Sequence, residues 1–137
     1  MRAQIFTSLP DCAKEIRVRV FMDEQGFQNE FDDLDNACTH IVLFDSALPV
    51  ATCRIWQENG EWHVGRLAVI KACRGQGLGQ NMLAQAEAYV RKRGADRLCL
   101  HAQCRAEPFY RKCGYTPYGE IDYDEGVEHI HMEKFLN

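Results

Sequence analysis

The chain has 137 residues and a formal net charge of −4, with 46% hydrophobic and 26% charged residues. This length and balance predict one globular domain over residues 1–137 that needs no disulfide bonds to build its core. The mildly acidic charge argues against nucleic acid as a partner, because phosphate backbones are bound by basic faces.

The first third of the chain predicts a strand, a helix and a loop. A short strand over residues 2–6 precedes a helix over about 10–22, whose apolar residues recur at helical spacing. Residues 8–11 resemble a capping box at the start of this helix. Residues 23–38 are predicted to be loop with room for a short helical turn. The acidic stretch 30–35 within this loop is predicted to be a solvated surface, because exposed runs of charge are commonplace. The alternative is that this stretch draws a cationic amine towards a cleft.

Three strands in a meander are predicted next, over residues 39–45, 50–57 and 62–69. The pair Asn59-Gly60 separates the last two, and this dipeptide favours a type I′ hairpin turn.

The second half alternates helices with strands. A helix starts within the glycine-rich segment 74–79 and ends near Gly94, after three basic residues that suit the negative end of the helix dipole. A strand over 97–102, a short helix over 106–113 and strands near 115–118 and 129–135 complete the chain. The resulting order, β-α-β-β-β-α-β-α-β-β, predicts an α/β (α+β) domain with a mixed sheet.

Cysteine usage and hydropathy favour a cytoplasmic protein without a membrane partner. The seven cysteines are odd in number and form no C-x-x-C pair, unlike the disulfide framework of a small secreted protein. The apolar runs are too short to span a bilayer, and residues 1–10 lack the basic start and apolar core of a signal peptide.

The glycine-rich segment is the most informative stretch of the sequence. A strand leads into a loop with three glycines, and a helix begins inside the loop. Such a turn directs backbone N–H groups outward at a helix N-terminus, where they and the helix dipole bind phosphate. A tight turn with no ligand is the alternative.

Two other phosphate-binding motifs are excluded. Gln80 occupies the position of the third glycine in the dinucleotide fingerprint, and no G-K-[ST] ending is present. The loop also follows a meander rather than the first strand, as it would in a Rossmann unit. A nucleotide-binding oxidoreductase is therefore disfavoured.

Several segments in order resemble the general-control-related N-acetyltransferase (GNAT) superfamily. The segment Arg74-Gly75-Gln76-Gly77-Leu78-Gly79 matches its R/Q-x-x-G-x-G/A loop, and residues 109–115 resemble its late F-Y-x-x-x-G-[FY] segment. Residues 20–25, 65–69, 101–103 and 129–132 are similar to a small bacterial branch, ElaA-like or YjcF-like. The resemblance covers residues 3–135.

The resemblance implies a sheet splayed between its fourth and fifth strands, with acetyl-coenzyme A (acetyl-CoA) in the cleft. The pyrophosphate is expected on the backbone amides of Arg74, Gly75, Gln76, Gly77, Leu78 and Gly79. The pantetheine is expected along Leu67, Ala68 and Val69, like an added strand. A backbone N–H near Val69 is expected to stabilise the thioester oxyanion.

Three residues are candidates for proton transfer. Tyr110 lies where the family often places a general acid, and a phenol can protonate the departing thiolate. His63 and Glu24 are rival bases for deprotonating the amine, with Glu128 and His129 behind them. Regular alternation along the strand puts His63, Gly65 and Leu67 on one face, unless a bulge intervenes. The alternatives are that Tyr110 is a core aromatic, that His63 is a surface histidine and that Glu24 belongs to a solvated helix end.

No metal site is predicted. His129 and His131 alternate along one strand, with His101 expected nearby, but no further ligand stands at a recognisable spacing.

Two functions from different classes remain open. The favoured one is an acetyl-CoA-dependent N-acetyltransferase that acts on a small-molecule or peptide amine. The other is a non-catalytic domain of the same fold that binds and senses acyl-CoA. The sequence leaves open the acceptor and the oligomeric state, a homodimer included.

Overall fold

The strand-forming segments pair into one mixed sheet in the computed structural model, which describes residues 1–136. The strands are β1 (Arg2–Phe6), β2 (Thr39–Asp45), β3 (Leu48–Glu58), β4 (Glu61–Val69), β5 (Arg97–Gln103), β6 (Thr116–Asp124) and β7 (Val127–Phe135). Their order across the sheet is β1-β2-β3-β4-β5-β7-β6. The β4–β5 pair is parallel, and the other neighbours are antiparallel.

The helices are α1 (Asp11–Arg17), α2 (Leu78–Arg91) and α3 (Glu107–Lys112). A π-helical segment over Val18–Glu24 extends α1. Short 3-10 segments cover Asp33–Ala37, Lys71–Cys73 and Cys104–Ala106. The fold class and the order of strands and α-helices expected from the sequence are thus confirmed.

The expected capping box of the first helix is wrong. Pro10 precedes α1 and no side chain caps the helix. A capping box forms instead at the 3-10 segment, between Asp32 and Asp35. Two carboxylates of this stretch, those of Glu30 and Asp35, are buried.

The apolar stripe of α2 packs against β2, β3 and β4, with Met82, Ala86 and Val90 fully buried. Asn59 and Gly60 both have positive φ, 52° and 80°, as the predicted hairpin turn requires. Within residues 1–136, no helix combines the length and apolar character needed to cross a membrane.

Buried ion pairs join α1 to the sheet through the acidic stretch. Glu30 is 3% exposed and Asp35 is 5% exposed, so the expectation of a solvated stretch is wrong for these two residues. Arg17 of α1 donates to Glu30 at 2.7 Å and to Asp35 at 2.8 Å. Arg54 of β3 donates to Asp35 at 2.9 Å and to the more exposed Asp32 at 2.7 Å. The buried carboxylates of Glu30 and Asp35 thus each have at least one arginine partner, as burial of charge requires.

A bulge in β4 sets the direction of the strand beyond it. Arg54 pairs with Gly65 but Thr52 pairs with Ala68, so one extra residue is inserted in β4. Arg66, inside the bulge, has a φ of 50°, a left-handed conformation that is uncommon for residues other than glycine. Its guanidinium contacts the Glu30 carboxylate at 3.0 Å and the Glu30 carbonyl oxygen at 3.2 Å. The ion cluster therefore holds the bulge in place.

We predict that Asp35 supports the fold in a pH-dependent way. Burial alone raises the pKa of its carboxyl, but the hydrogen bonds and charge of Arg17, with those of Arg54, hold it at about 2, against 3.8 ordinarily. Such a depressed pKa stabilises the fold above pH 4, by about 2 kcal/mol, and this stability is lost as pH falls from about 4 to about 2. Asp35→Asn should lower the free energy of unfolding at pH 7 by about 3 kcal/mol, since two buried arginines each lose one of their charged partners.

Urea titration of both proteins from pH 7 to pH 2 measures this effect. The difference between them should shrink by about 2 kcal/mol below pH 4. Glu30, whose pKa burial raises, shares Arg17 with Asp35, so the titration is repeated with Glu30→Gln in both proteins to isolate Asp35. A constant difference across the pH range would contradict the assignment.

Candidate active site

A cleft opens where β4 and β5 stop pairing. The parallel ladder between β4 and β5 contains two residue pairs, Trp62 with Leu98 and His63 with Cys99. Beyond the bulge, β4 keeps its antiparallel partner β3 while β5 diverges. A cavity of about 640 Å³ occupies this gap, and it extends from Leu67, Ala68 and Val69 on β4 to the glycine loop and to α3.

The glycine loop forms the opposite wall of this cavity. Gly75 and Gly77 have φ values of 81° and 76°, which side-chain-bearing residues rarely adopt, and a Cβ on either would meet no atom within 4 Å. Gly77 is the N-cap of α2, so the first N–H groups of this 14-residue helix face the cavity side of the loop. This arrangement suits a phosphate group.

Gly79 is needed for close packing, and not for an unusual backbone conformation. A Cβ at this position would lie 2.9 Å from Cζ of Phe109. The glycine therefore lets the ring of α3 pack directly on the first turn of α2, which closes that end of the cavity.

Arg74 is held in the loop by two partners. Its Nε donates to the carbonyl oxygen of Val69 at 3.0 Å, and its two terminal nitrogens donate to the Glu24 carboxylate at 2.6 and 2.7 Å. The hydrogen bonds from Arg74 lower the pKa of Glu24. Glu24 thus lies beside the glycine loop, ionised and paired, in an arrangement that favours an ion-pair role over that of a base.

A second cavity of about 170 Å³ adjoins the first. Gln25, Leu67, Ala106 and Tyr110 line both cavities. The wall of the smaller one also includes His101, Gln103 and His129, and Gln103 donates to Gln25 at 2.8 Å. The two cavities therefore meet beside Tyr110.

Tyr110 lies on α3 with its ring edge-on to Phe109 at 5.1 Å and to Tyr115 at 6.2 Å. Burial raises the pKa of its phenol, so the hydroxyl is protonated at neutral pH. Of the three candidates for proton transfer, Tyr110 is the one that lines either cavity.

His63 does not line either cavity. Its ring stacks on Trp56 at 5.3 Å, and burial lowers its pKa. The bulge shifts the alternation of β4, so Leu67 lies out of phase with His63 and Gly65. The expectation that His63 and Leu67 share a face is therefore wrong, because regular alternation does not cross a bulge.

Gln25, His101 and Gln103 are not among the site residues expected from the sequence. All three fall in segments that carry the family resemblance, residues 20–25 and 101–103, so the resemblance contained the signal. Their convergence depends on contacts between parts of the chain 78 residues apart, as in the Gln25–Gln103 hydrogen bond.

The splayed sheet and the glycine loop at the head of α2 define an acyl-CoA N-acyltransferase fold. A family model described as acetyltransferase (GNAT) domain matches residues 9–136. The chain belongs to the GNAT acetyltransferase family.

Relatives and solved structures agree with this family. The Bacillus subtilis protein named uncharacterized N-acetyltransferase YjcF is 34% identical over 122 residues, which are 87% of each chain. The crystal structure of Escherichia coli ElaA is 25% identical with a TM-score of 0.86, covering 97% of this chain and 98% of that one. An aminoglycoside 6′-N-acetyltransferase solved with coenzyme A has a TM-score of 0.78 over 98% of this chain and 97% of that one. At 15% identity, this last comparison shows the fold alone.

Proposed function

We propose that this protein binds acetyl-CoA and transfers its acetyl group to a primary amine by direct attack on the thioester. The observation that carries the proposal is the meeting of two cavities at Tyr110 and Leu67. The larger cavity runs from the β4 edge to the glycine loop and is assigned to the cofactor, and the smaller one is assigned to the acceptor. Direct transfer needs both substrates in contact, which such a junction allows.

The cofactor is proposed to lie along the gap between β4 and β5. Its pyrophosphate would accept hydrogen bonds from the loop amides of residues 74–79, and its pantetheine would follow Leu67, Ala68 and Val69. A backbone N–H near Val69 would bind the developing oxyanion. The solved neighbour that holds coenzyme A has the same fold, which supports this assignment.

Tyr110 is proposed to protonate the departing thiolate. Burial raises the pKa of this phenol, which by itself weakens it as an acid. The phenol is nevertheless protonated at neutral pH, so it has a proton to donate to the thiolate as the C–S bond breaks. The transfer step uses no metal.

The proton of the amine is proposed to leave through water in the smaller cavity. Neither His63 nor Glu24 lines this cavity, and Glu24 is paired with Arg74, whereas the lower-ranked candidate His129 does line it. An acceptor amine would enter on the side of Gln25 and Gln103.

We predict that acetyl-CoA stabilises the fold by about 2.7 kcal/mol at 100 times its dissociation constant. Gly77→Val should abolish this stabilisation by placing a side chain against the pyrophosphate. Gly60→Val is the matched control, since Gly60 has a similar φ of 80° against 76° and an equally open surrounding, but lies in the β3–β4 turn. Calorimetric titration measures binding by all three proteins. No coenzyme A binding by the unmutated chain would refute the proposal.

Tyr110→Phe should lower kcat by roughly 10²–10⁴-fold, because the acid acts in the transition state. The dissociation constant of acetyl-CoA should change little. Release of free thiol in the presence of an amine panel measures the rate. Tyr123→Phe, at an exposed tyrosine, is the control. Acetyl-CoA binding without turnover on any amine would favour the acyl-CoA-sensing function instead.

We predict that the base is not His63. If His63 were the base, the increase of kcat/KM with pH (its rising limb) would change slope below about pH 6.5, because burial lowers the pKa of His63. His63→Ala would then remove that change of slope. We expect His63→Ala and Glu24→Ala to keep the limb, as a water route requires. Loss of the limb in either variant would restore that residue as the base.

A further inference from the structure

Three side chains from neighbouring strands converge beside the smaller cavity. His101 on β5 lies opposite His131 on β7, and their rings stack with centroids 4.4 Å apart. Asp122 on β6 accepts a hydrogen bond at 2.7 Å from Nε2 of His101. One potential ligand atom from each residue lies within 4.8 Å of the other two.

A register shift in β6 brings the carboxylate to the histidines. Tyr118 pairs with His131, but Asp122 pairs with His129, so the ladder between β6 and β7 is interrupted by inserted residues. In a regular antiparallel ladder, β6 would place residue 120 opposite His129. The insertion therefore supplies the third ligand that the spacing of the histidines in the sequence lacks.

We propose that His101, Asp122 and His131 form a binding site for a divalent transition-metal ion such as Zn²⁺. Two imidazole nitrogens and one carboxylate oxygen are a donor set that Zn²⁺, Ni²⁺ and Fe²⁺ accept. Metal–ligand distances of about 2.0–2.2 Å require the ligand atoms to lie roughly 3–3.5 Å from one another. In this structure the three ligand atoms lie within 4.8 Å of one another. The cluster is thus near the required geometry before an ion binds.

Small side-chain rotations complete the coordination. Stacked rings direct their nitrogens in parallel, so His101 must turn out of the stack to aim at the same ion as His131, which also stacks on Tyr118 at 5.6 Å. The side chains of His101 and Asp122 are 37% and 53% exposed, which leaves room for this rotation. The backbones of β5 and β7 stay fixed by a continuous ladder over residues 97–103.

An ion at this position would form part of the wall of the smaller cavity, because His101 lines it. Three protein ligands leave at least one coordination position open, as in sites where an exchangeable ligand binds. The inference concerns binding of the metal itself and does not depend on acetyl transfer.

Cobalt and zinc titrations test the site in the full chain. The protein is stripped with a chelator and kept reduced with a phosphine, since thiol reductants bind these metals. Co²⁺ is followed by its visible absorption, and Zn²⁺ by competition with a chromophoric chelator. We expect one ion per chain and a cobalt spectrum without intense thiolate charge-transfer bands.

Single substitutions locate the ion. His101→Ala and Asp122→Asn should each weaken binding at least about tenfold, since loss of an outer-shell partner alone has that effect. Asp124→Asn is the matched control, because it makes the same change two residues along β6 outside the cluster. It should bind both metals like the unmutated chain. The exposed Asp122→Asn should fold normally even if His101→Ala does not.

Three results would overturn the proposal. The first is the absence of stoichiometric binding by the unmutated chain. The second is equal affinity in Asp122→Asn and Asp124→Asn. The third is thiolate bands in the cobalt spectrum, which would assign the ion to cysteines such as Cys104, whose thiol lies within electrostatic range of Asp122.

Discussion

The contact between Arg66 and Glu30 is the constraint on which the cleft depends. Arg66 adopts a left-handed conformation that costs of order 1 kcal/mol or more, so it persists only because the surrounding contacts offset this cost. Its guanidinium lies 3.0 Å from the buried Glu30 carboxylate, which Arg17 of α1 also binds. The bulge of β4 is thereby tied to the helix and loop that precede the sheet. Without this bulge, β4 would keep its alternation, and the wall of the cavity would present different side chains.

Arginine–carboxylate pairs have two different roles in this molecule. The pairs around Arg17 and Arg54 are buried, so removing one partner leaves an uncompensated charge in the core. The pair between Arg74 and Glu24 is partly exposed at the mouth of the glycine loop, where solvent screens it. The phosphate proposed to bind at this loop would therefore compete for Arg74 at little expense to the fold. The buried pairs support the shape of the cleft, whereas the exposed pair of Arg74 and Glu24 affects the net charge beside the glycine loop.

The two cavities divide the cleft by chemistry. The larger one is lined by the β4 edge, the glycine-rich turn before α2 and the aromatic residues of α3. The smaller one is lined by residues that include Gln25, Gln103 and His101. In the proposed function, the larger cavity takes the cofactor and the smaller one takes the acceptor. The histidine cluster extends this second wall outward to β6.

The sequence alone determined the features that depend on local chemistry. The order of strands and helices follows from hydrophobic periodicity, the hairpin turn from Asn59-Gly60, and the loop at α2 from glycines that adopt positive φ. The tertiary structure decided everything that joins distant segments. It buried Glu30, paired Glu24 with Arg74 across 50 residues, and set Asp122 against His101 across 21. The sequence shows which residues carry charge but not which partners they meet, because desolvation and the registers of bulged strands are properties of the packed sheet.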